Sequence, residues 1–267
     1  MTEEINLTLL RPPQIRERLA QAPVAFIPVG PLEWHGPHCP YGTDGLNAQH
    51  MAAEACRRVG GILWPTLFWG TERERRPDQL ESLGFPKDAY IVGMDFPANP
   101  LPSCYCPEEI FAVVVRETLR QAGRLGVKLA AIVNGHGAEN HMAALRRLTV
   151  EISRTTGPLT YLRVSDPSKG SGGHADADET SLMMFLTHSV DLSALPPVTQ
   201  SLRYAEHAVV DGGGFDGKTP DHILPERCDP RQHASTSRGE QIFRANCDRL
   251  EQEVREMLKK INAREST

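Results

Sequence analysis

Short β-branched apolar runs alternate along this chain with stretches of helical periodicity, and that alternation constrains the fold more than any other feature. VAFIPV (24–29) follows a proline and stops at Gly30. It is too short for a stable helix and rich in strand formers. Residues 45–59 place Leu46, Met51, Ala55 and Val59 on one helical face. ILWPTL (62–67) reads as a second strand, weakened by Pro65, which has no N–H for a ladder. Pro107, Glu108 and Glu109 suit the start of a helix, and Ile110, Phe111, Val114, Val115, Leu119 and Ala122 form its apolar stripe. KLAAIVN (128–134) is a strand, 139–155 a helix, and LTYLRV (159–164) a strand. A short apolar helix starts near Glu179, and Ser237-x-x-Glu240 is a capping box that opens the last helix. Residues 68–106 read as a long loop or lid, and 189–234 as irregular, with Gly212-Gly213-Gly214 inside. Strands separated by helices pair in parallel and need cover on both faces. The expected fold is therefore a single three-layer α/β/α domain over residues 1–267 with a mainly parallel sheet.

Composition removes several function classes. The formal net charge is −5, with no basic excess to neutralise a phosphate backbone, so nucleic acid is not an expected partner. No apolar run approaches the roughly 20 residues of a bilayer span. The first residues are acidic and lack an apolar signal core, so the expected location is cytoplasmic. Six cysteines without C-x-x-C spacing read as thiols. Ten histidines leave a metal site open, and composition alone does not decide it.

Position decides more. Ligands of an open parallel sheet bind beyond the carboxyl ends of its strands. The first strand is followed by Glu33, His35, His38 and Asp44, the third by His136, Glu139 and His141, and the fourth by His174 and Glu179. Each is weak alone: Asp44 could simply cap a helix, and His136 could bond its own turn. Together they gather imidazoles and carboxylates at one sheet edge. That donor set suits Zn, Mn or Fe, and two such ions could share a bridging Asp.

PVGPLEWHGPHCPYGTD, NGHGAEN and HADADETS resemble, in order and approximate spacing, three motifs of the creatininase (creatinine amidohydrolase) family. The likeness covers roughly residues 20–190. It implies an α/β fold, two divalent metal ions per chain, hydrolysis of a C–N or similar carbonyl bond in a small molecule, and a homohexamer. Carried over, Glu33 and His136 would bind one ion, His35 the second, and Asp44 would bridge. His174 would transfer a proton or orient substrate, and Glu179 would orient His174 or sit near a metal. The chain also departs from the pattern. The carboxylate that normally completes the second ion falls on Ala138, so Glu139, one residue later, is the expected substitute. Met94-Asp95-Phe96-Pro97-Ala98-Asn99 replaces another family segment, and the tryptophans that close over creatinine lack counterparts, so creatinine itself is not the expected substrate.

Trp69 and Arg73 follow the second strand and are candidates to contact substrate, with Arg75 as an alternative. A packing Trp and a solvated charged loop are the plainer readings. The leading expectation is hydrolysis of a cyclic amide, formamide or related C–N bond. A second is hydrolytic ring opening of a cyclic ketone or sugar-derived, inosose-type substrate. A third is a non-catalytic metal-binding subunit or maturation partner.

Overall fold

Every residue of β1 (Val24–Val29) and of β3 (Leu129–Asn134) is buried, which requires packing on both faces of the sheet. The computed structural model describes residues 4–82, 85–97, 99–155, 158–164, 173–200, 202 and 228–265. Gly212-Gly213-Gly214, His207, His222 and nearly all of the loop expected after the fourth strand lie outside the described residues.

Among the described residues, β2 (Ile62–Leu63), β1, β3 and β4 (Leu159–Val164) form one parallel sheet in that order. β2 is shorter than the sequence suggests. Pro65 interrupts the ladder, and pairing resumes only as a bridge between Val29 and Leu67. Helix α2 (Thr43–Val59) connects β1 to β2, α4 (Glu108–Arg124) precedes β3, and α5 (Glu139–Arg154) connects β3 to β4. β2 flanks β1 on one side and β3 flanks it on the other, so the winding reverses between β1 and β3. The crevice beyond their carboxyl ends is the switch point where such sheets bind ligands.

The strand period of two divides the core into two layers. Ala25, Ile27, Val29, Ala130 and Ile132 pack against Phe111, Val115 and Leu119 of α4 and Leu145, Leu148 and Ile152 of α5. Val24, Phe26, Leu129, Ala131 and Val133 pack against Met51, Ala52 and Ala55 of α2 and against Cys247, Leu250 and Val254 of α8 (Thr236–Glu265). Each large side chain so buried contributes roughly 1.5–3 kcal/mol. This is the expected three-layer α/β/α arrangement. All six cysteines are free thiols, and no helix among the described residues is long and apolar enough to cross a membrane.

Three local expectations change. Residues 68–106 are partly ordered by a small core of Leu80, Phe85, Ile91, Met94 and Phe96, beside α3 (Pro77–Ser82), with the Arg75 guanidinium 5.6 Å from the Phe96 ring centre. An unread first helix, α1 (Pro12–Gln21), begins on two prolines, and its Arg18 donates to the Gly61 carbonyl at 2.6 Å. The cap of α8 is Ser235, whose hydroxyl accepts from the Arg238 N–H at 3.2 Å, two residues before the expected Ser237. A short α7 (Pro230–His233) precedes it.

Two glycines bring α2 to the switch point. A Cβ on Gly30 would lie 2.7 Å from the Asp44 carbonyl carbon, and one on Gly135 would lie 2.1 Å from the Asp44 oxygen. Only hydrogen at both positions lets the first turn of α2 seat between the ends of β1 and β3. That contact places the Asp44 side chain in the crevice.

Candidate metal centre

Glu33, His35, Asp44 and His136 are all buried, and their ligand atoms converge at the crevice. The loop after β1 folds back so that the Glu33 N–H donates to the Tyr41 carbonyl at 2.9 Å. His35 Nδ1 donates to the Glu33 carbonyl at 3.0 Å. A carbonyl only accepts, so the neutral His35 ring presents a bare Nε2, the state a metal ligand requires. That Nε2 lies 3.2 Å from Asp44 Oδ1 and 3.6 Å from Glu179 Oε1. On the other side, His136 Nδ1 lies 2.9 Å from Asp44 Oδ2 and 3.1 Å from Glu33 Oε2. Each Asp44 oxygen therefore faces a different histidine.

Among the described residues, three groups could each hold an ion: Glu33, Asp44 and His136; His35, Asp44 and Glu179; and Glu33, His35 and His174. Tetrahedral bonds of about 2.0–2.1 Å set ligand atoms roughly 3.3–3.4 Å apart, close to the separations found here. Among the described residues, His35 Nε2, the nitrogen that faces Asp44 and Glu179, is buried without a hydrogen-bond partner. Three buried carboxylates, Glu33, Asp44 and Glu179, share one site, and buried like charges need cations between them. Burial raises the Asp44 carboxyl, but the His35 and His136 imidazoles more than offset it and hold it well below the carboxylate range. Glu33 follows the same logic through His136, and Glu179 through His35. Burial lowers both His35 and His136, yet the adjacent carboxylates lift each well above the usual imidazole value. An orphaned imidazole nitrogen, excess negative charge and mixed N/O donors all fit divalent metal ions.

A sequence profile described as creatinine amidohydrolase, of the creatininase family, matches residues 8–254. The chain belongs to the creatininase family. Members are metal-dependent amidohydrolases, and this chain is a metal-dependent hydrolase of the creatininase type. Its fold resembles that of a solved manganese form of creatininase (TM-score 0.69, 20% identity, 96% of this chain and 99% of that one). A creatininase variant complexed with creatine is also similar (TM-score 0.64, 21% identity, 96% and 99% covered). So is a putative creatinine amidohydrolase from Bacteroides fragilis (TM-score 0.64, 19% identity, 97% and 98% covered). A 3-dehydro-scyllo-inosose hydrolase from Thermotoga maritima is 39% identical over 57 residues, which span 21% of this chain and 18% of that protein.

Around these candidate ligands, further contacts brace the crevice. Asn134, the last residue of β3, accepts from the His136 N–H (3.3 Å) and bonds His141 Nε2 (2.9 Å) through Oδ1. His141 stacks on Phe111 with ring centres 4.3 Å apart. Helix α6 (Ala177–Leu186) is capped by Asp176, which accepts from the Asp178 and Glu179 N–H groups. Ala175 holds a positive φ of 55°, rare for a residue with a Cβ, and its N–H donates to Glu179 Oε2. His174 lies beside His35, ring centres 4.1 Å apart, and its Nε2 meets the Trp34 carbonyl.

Glu139 stands apart from the ligand groups. It is exposed on the first turn of α5 and lines the outer cleft. That cleft, about 830 Å³, is also lined by Glu72, Arg73, Arg76, Gln79, His136, His174 and Glu179. Arg73 thus reaches the cleft, while Trp69 is 43% exposed and is not among its lining residues. Sequence reasoning missed Tyr105, whose hydroxyl donates to Glu33 Oε1 across 72 positions of chain. No local motif marks it.

His38 and His141 are buried outside the ligand groups. Burial, then the nearby His35 charge, pushes His38 down to about 4. Burial and the His136 charge lower His141 well below the usual value. Such groups stay neutral in the folded chain but gain protons on unfolding below pH ~6.5. Their contribution to stability is therefore full above that pH and is lost as pH falls toward the depressed values, by ~3 kcal/mol from His38 alone, while the raised His35 and His136 act in the opposite sense. The difference between wild type and His38→Gln isolates the His38 part: from pH 7 to pH 5 the urea midpoint of wild type should drop relative to that of the variant. Parallel profiles for the two proteins would exclude this contribution.

Proposed function

We propose that the chain holds two divalent ions, zinc, manganese or iron, and hydrolyses a small polar substrate at a carbonyl carbon. One ion would sit among Glu33, Asp44 and His136 and the other among His35, Asp44 and Glu179, with Asp44 as the bridge. The observation that carries this reading is the split of the Asp44 carboxylate, Oδ1 toward His35 Nε2 at 3.2 Å and Oδ2 toward His136 Nδ1 at 2.9 Å. Glu179 takes the second-ion role, since its Oε1 lies 3.6 Å from His35 Nε2.

Bound divalent ions would supply Lewis acidity and a water acidified toward neutral pH. The chain's own residues supply orientation and proton transfer. His174 bonds the Trp34 carbonyl through Nε2, which leaves Nδ1 to accept a proton and return it. Burial and then the His35 charge lower its pKa, favouring the neutral ring needed for that exchange. The leading substrate is a cyclic amide, a formamide or a related C–N compound. Water oxygen adds to the carbonyl carbon, the C–N bond breaks, and the departing nitrogen takes the proton from His174 Nδ1. Arg73 at the cleft would orient a polar substrate.

A second reading keeps the site but opens a cyclic ketone or sugar-derived ring. The partial likeness to the inosose hydrolase and the charged cleft lining favour it. The bond broken would then be C–C, with the proton returned to carbon. Metal-loaded protein should be offered lactams, formamides and cyclic ketones, with products followed by mass spectrometry. One class should turn over, and His174→Ala should slow it by ~10²–10⁴-fold. Full activity in His174→Ala would exclude the proton-transfer role, and turnover of cyclic ketones alone would select the second reading.

A further inference from the structure

Tyr105 is not a residue of the ligand groups, yet the surrounding backbone aims it at one of their atoms. The Cys104 N–H donates to the Leu32 carbonyl at 2.7 Å, and the Cys106 N–H donates to the Gly70 carbonyl at 2.9 Å. Leu32 directly precedes Glu33, so this pairing holds residues 104–106 alongside the ligand loop. The phenol hydroxyl between these tethers donates to Glu33 Oε1 and accepts from the Met94 N–H at 3.4 Å. A Cβ on Gly93, where φ is +54°, would lie 2.8 Å from that hydroxyl. Tyr105 therefore has a prepared seat. Meanwhile the other Glu33 oxygen, Oε2, faces His136 Nδ1 at 3.1 Å.

We infer that Tyr105 is a positioning residue that occupies Glu33 Oε1 and so commits Oε2 alone to the ion shared with Asp44 and His136. The inference rests on the two-ion reading above. A free carboxylate can rotate, bind through both oxygens or turn away. A carboxylate with one oxygen held by a seated hydroxyl presents the other at a fixed angle. Against a carboxylate oxygen, which only accepts, the phenol hydroxyl is the donor.

Tyr105→Phe removes the hydroxyl and leaves the ring. Metal-free wild type and variant should be titrated with Zn²⁺ against a chromogenic chelator, with folding checked by circular dichroism. Wild type should show two sites. The variant should lose ~10–100-fold in affinity at one of them, the range for removing a partner of a metal ligand, and keep the other. Glu33→Gln should weaken the same site, and adding Tyr105→Phe to Glu33→Gln should change nothing more, because the phenol acts only through Glu33. Two wild-type-like sites in Tyr105→Phe would overturn the inference alone. So would an equal loss in the Glu33→Gln background, which would mark a general packing role. A wild type that takes up no zinc would overturn the two-ion reading and the inference together.

Discussion

Asp44→Ala should bind neither ion and should lose activity by ~10³-fold or more, the scale on which charge-stabilising groups act. Both oxygens of Asp44 are in use, one toward each histidine. No neighbouring carboxylate can replace them, because Glu33 faces His136 and Glu179 faces His35. Removing the side chain also leaves two buried imidazoles without a shared partner, so the metal-free variant should be less stable than metal-free wild type. Elemental analysis gives the metal count, and turnover of whichever substrate class proves active gives the rate. About two ions per wild-type chain and near zero in Asp44→Ala is the expected result. One ion retained at full affinity would mean that Asp44 is a terminal ligand and not a bridge.

The second large effect separates Glu139, which the sequence offered as the ligand completing the second ion, from Glu179, which it offered as orienting His174 or sitting near a metal. Glu179→Gln should lose the ion held with His35 and slow turnover by ~10²-fold or more. Glu139→Gln should stay within about threefold of wild type. The physical difference is burial. Glu179 is buried, with Oε1 3.6 Å from His35 Nε2 and Oε2 held by the Ala175 N–H. Glu139 is exposed on the first turn of α5. A charge at a helix start is stabilised by the helix dipole by only ~0.3–1 kcal/mol, so its removal has little local effect. The reverse ranking, with Glu139→Gln losing an ion, would mean that the β3–α5 turn rearranges on metal binding.

Much of this architecture was legible in the chain itself. The runs at 24–29 and 129–134 are nearly continuous apolar strands because both of their faces are covered, and that burial writes itself into sequence as an unbroken run, whereas the edge strand 159–164 carries Thr160 and Arg163 and is only half-buried at most positions. The stripes on α4 and α5 are nearly as direct, since each helix buries only one face, although Ile110 of the expected α4 stripe is exposed. Residues 68–106 were not legible. Their small core joins Leu80, Phe85, Ile91, Met94 and Phe96 without any period. The edge strand after Gly61 was overread, because Pro65 acts on the ladder and not on the apolar pattern.

At the site, sequence alone determined which residues were candidates: imidazoles and carboxylates just past the ends of parallel strands, where the helix connections leave a crevice. Glu33, His35, Asp44, His136, His174 and Glu179 all come from those segments. Only the tertiary structure decided which of them meet. The orientation of Asp44 depends on Gly30 and Gly135 admitting the first turn of α2, the roles of Glu179 and Glu139 on burial, and the Tyr105 contact on pairing between segments 72 positions apart. Strand periodicity is a local property of neighbouring side chains and is therefore carried in the sequence. Convergence of ligand atoms to about 3 Å is a property of how helices and strands pack, and it comes into being only when they do.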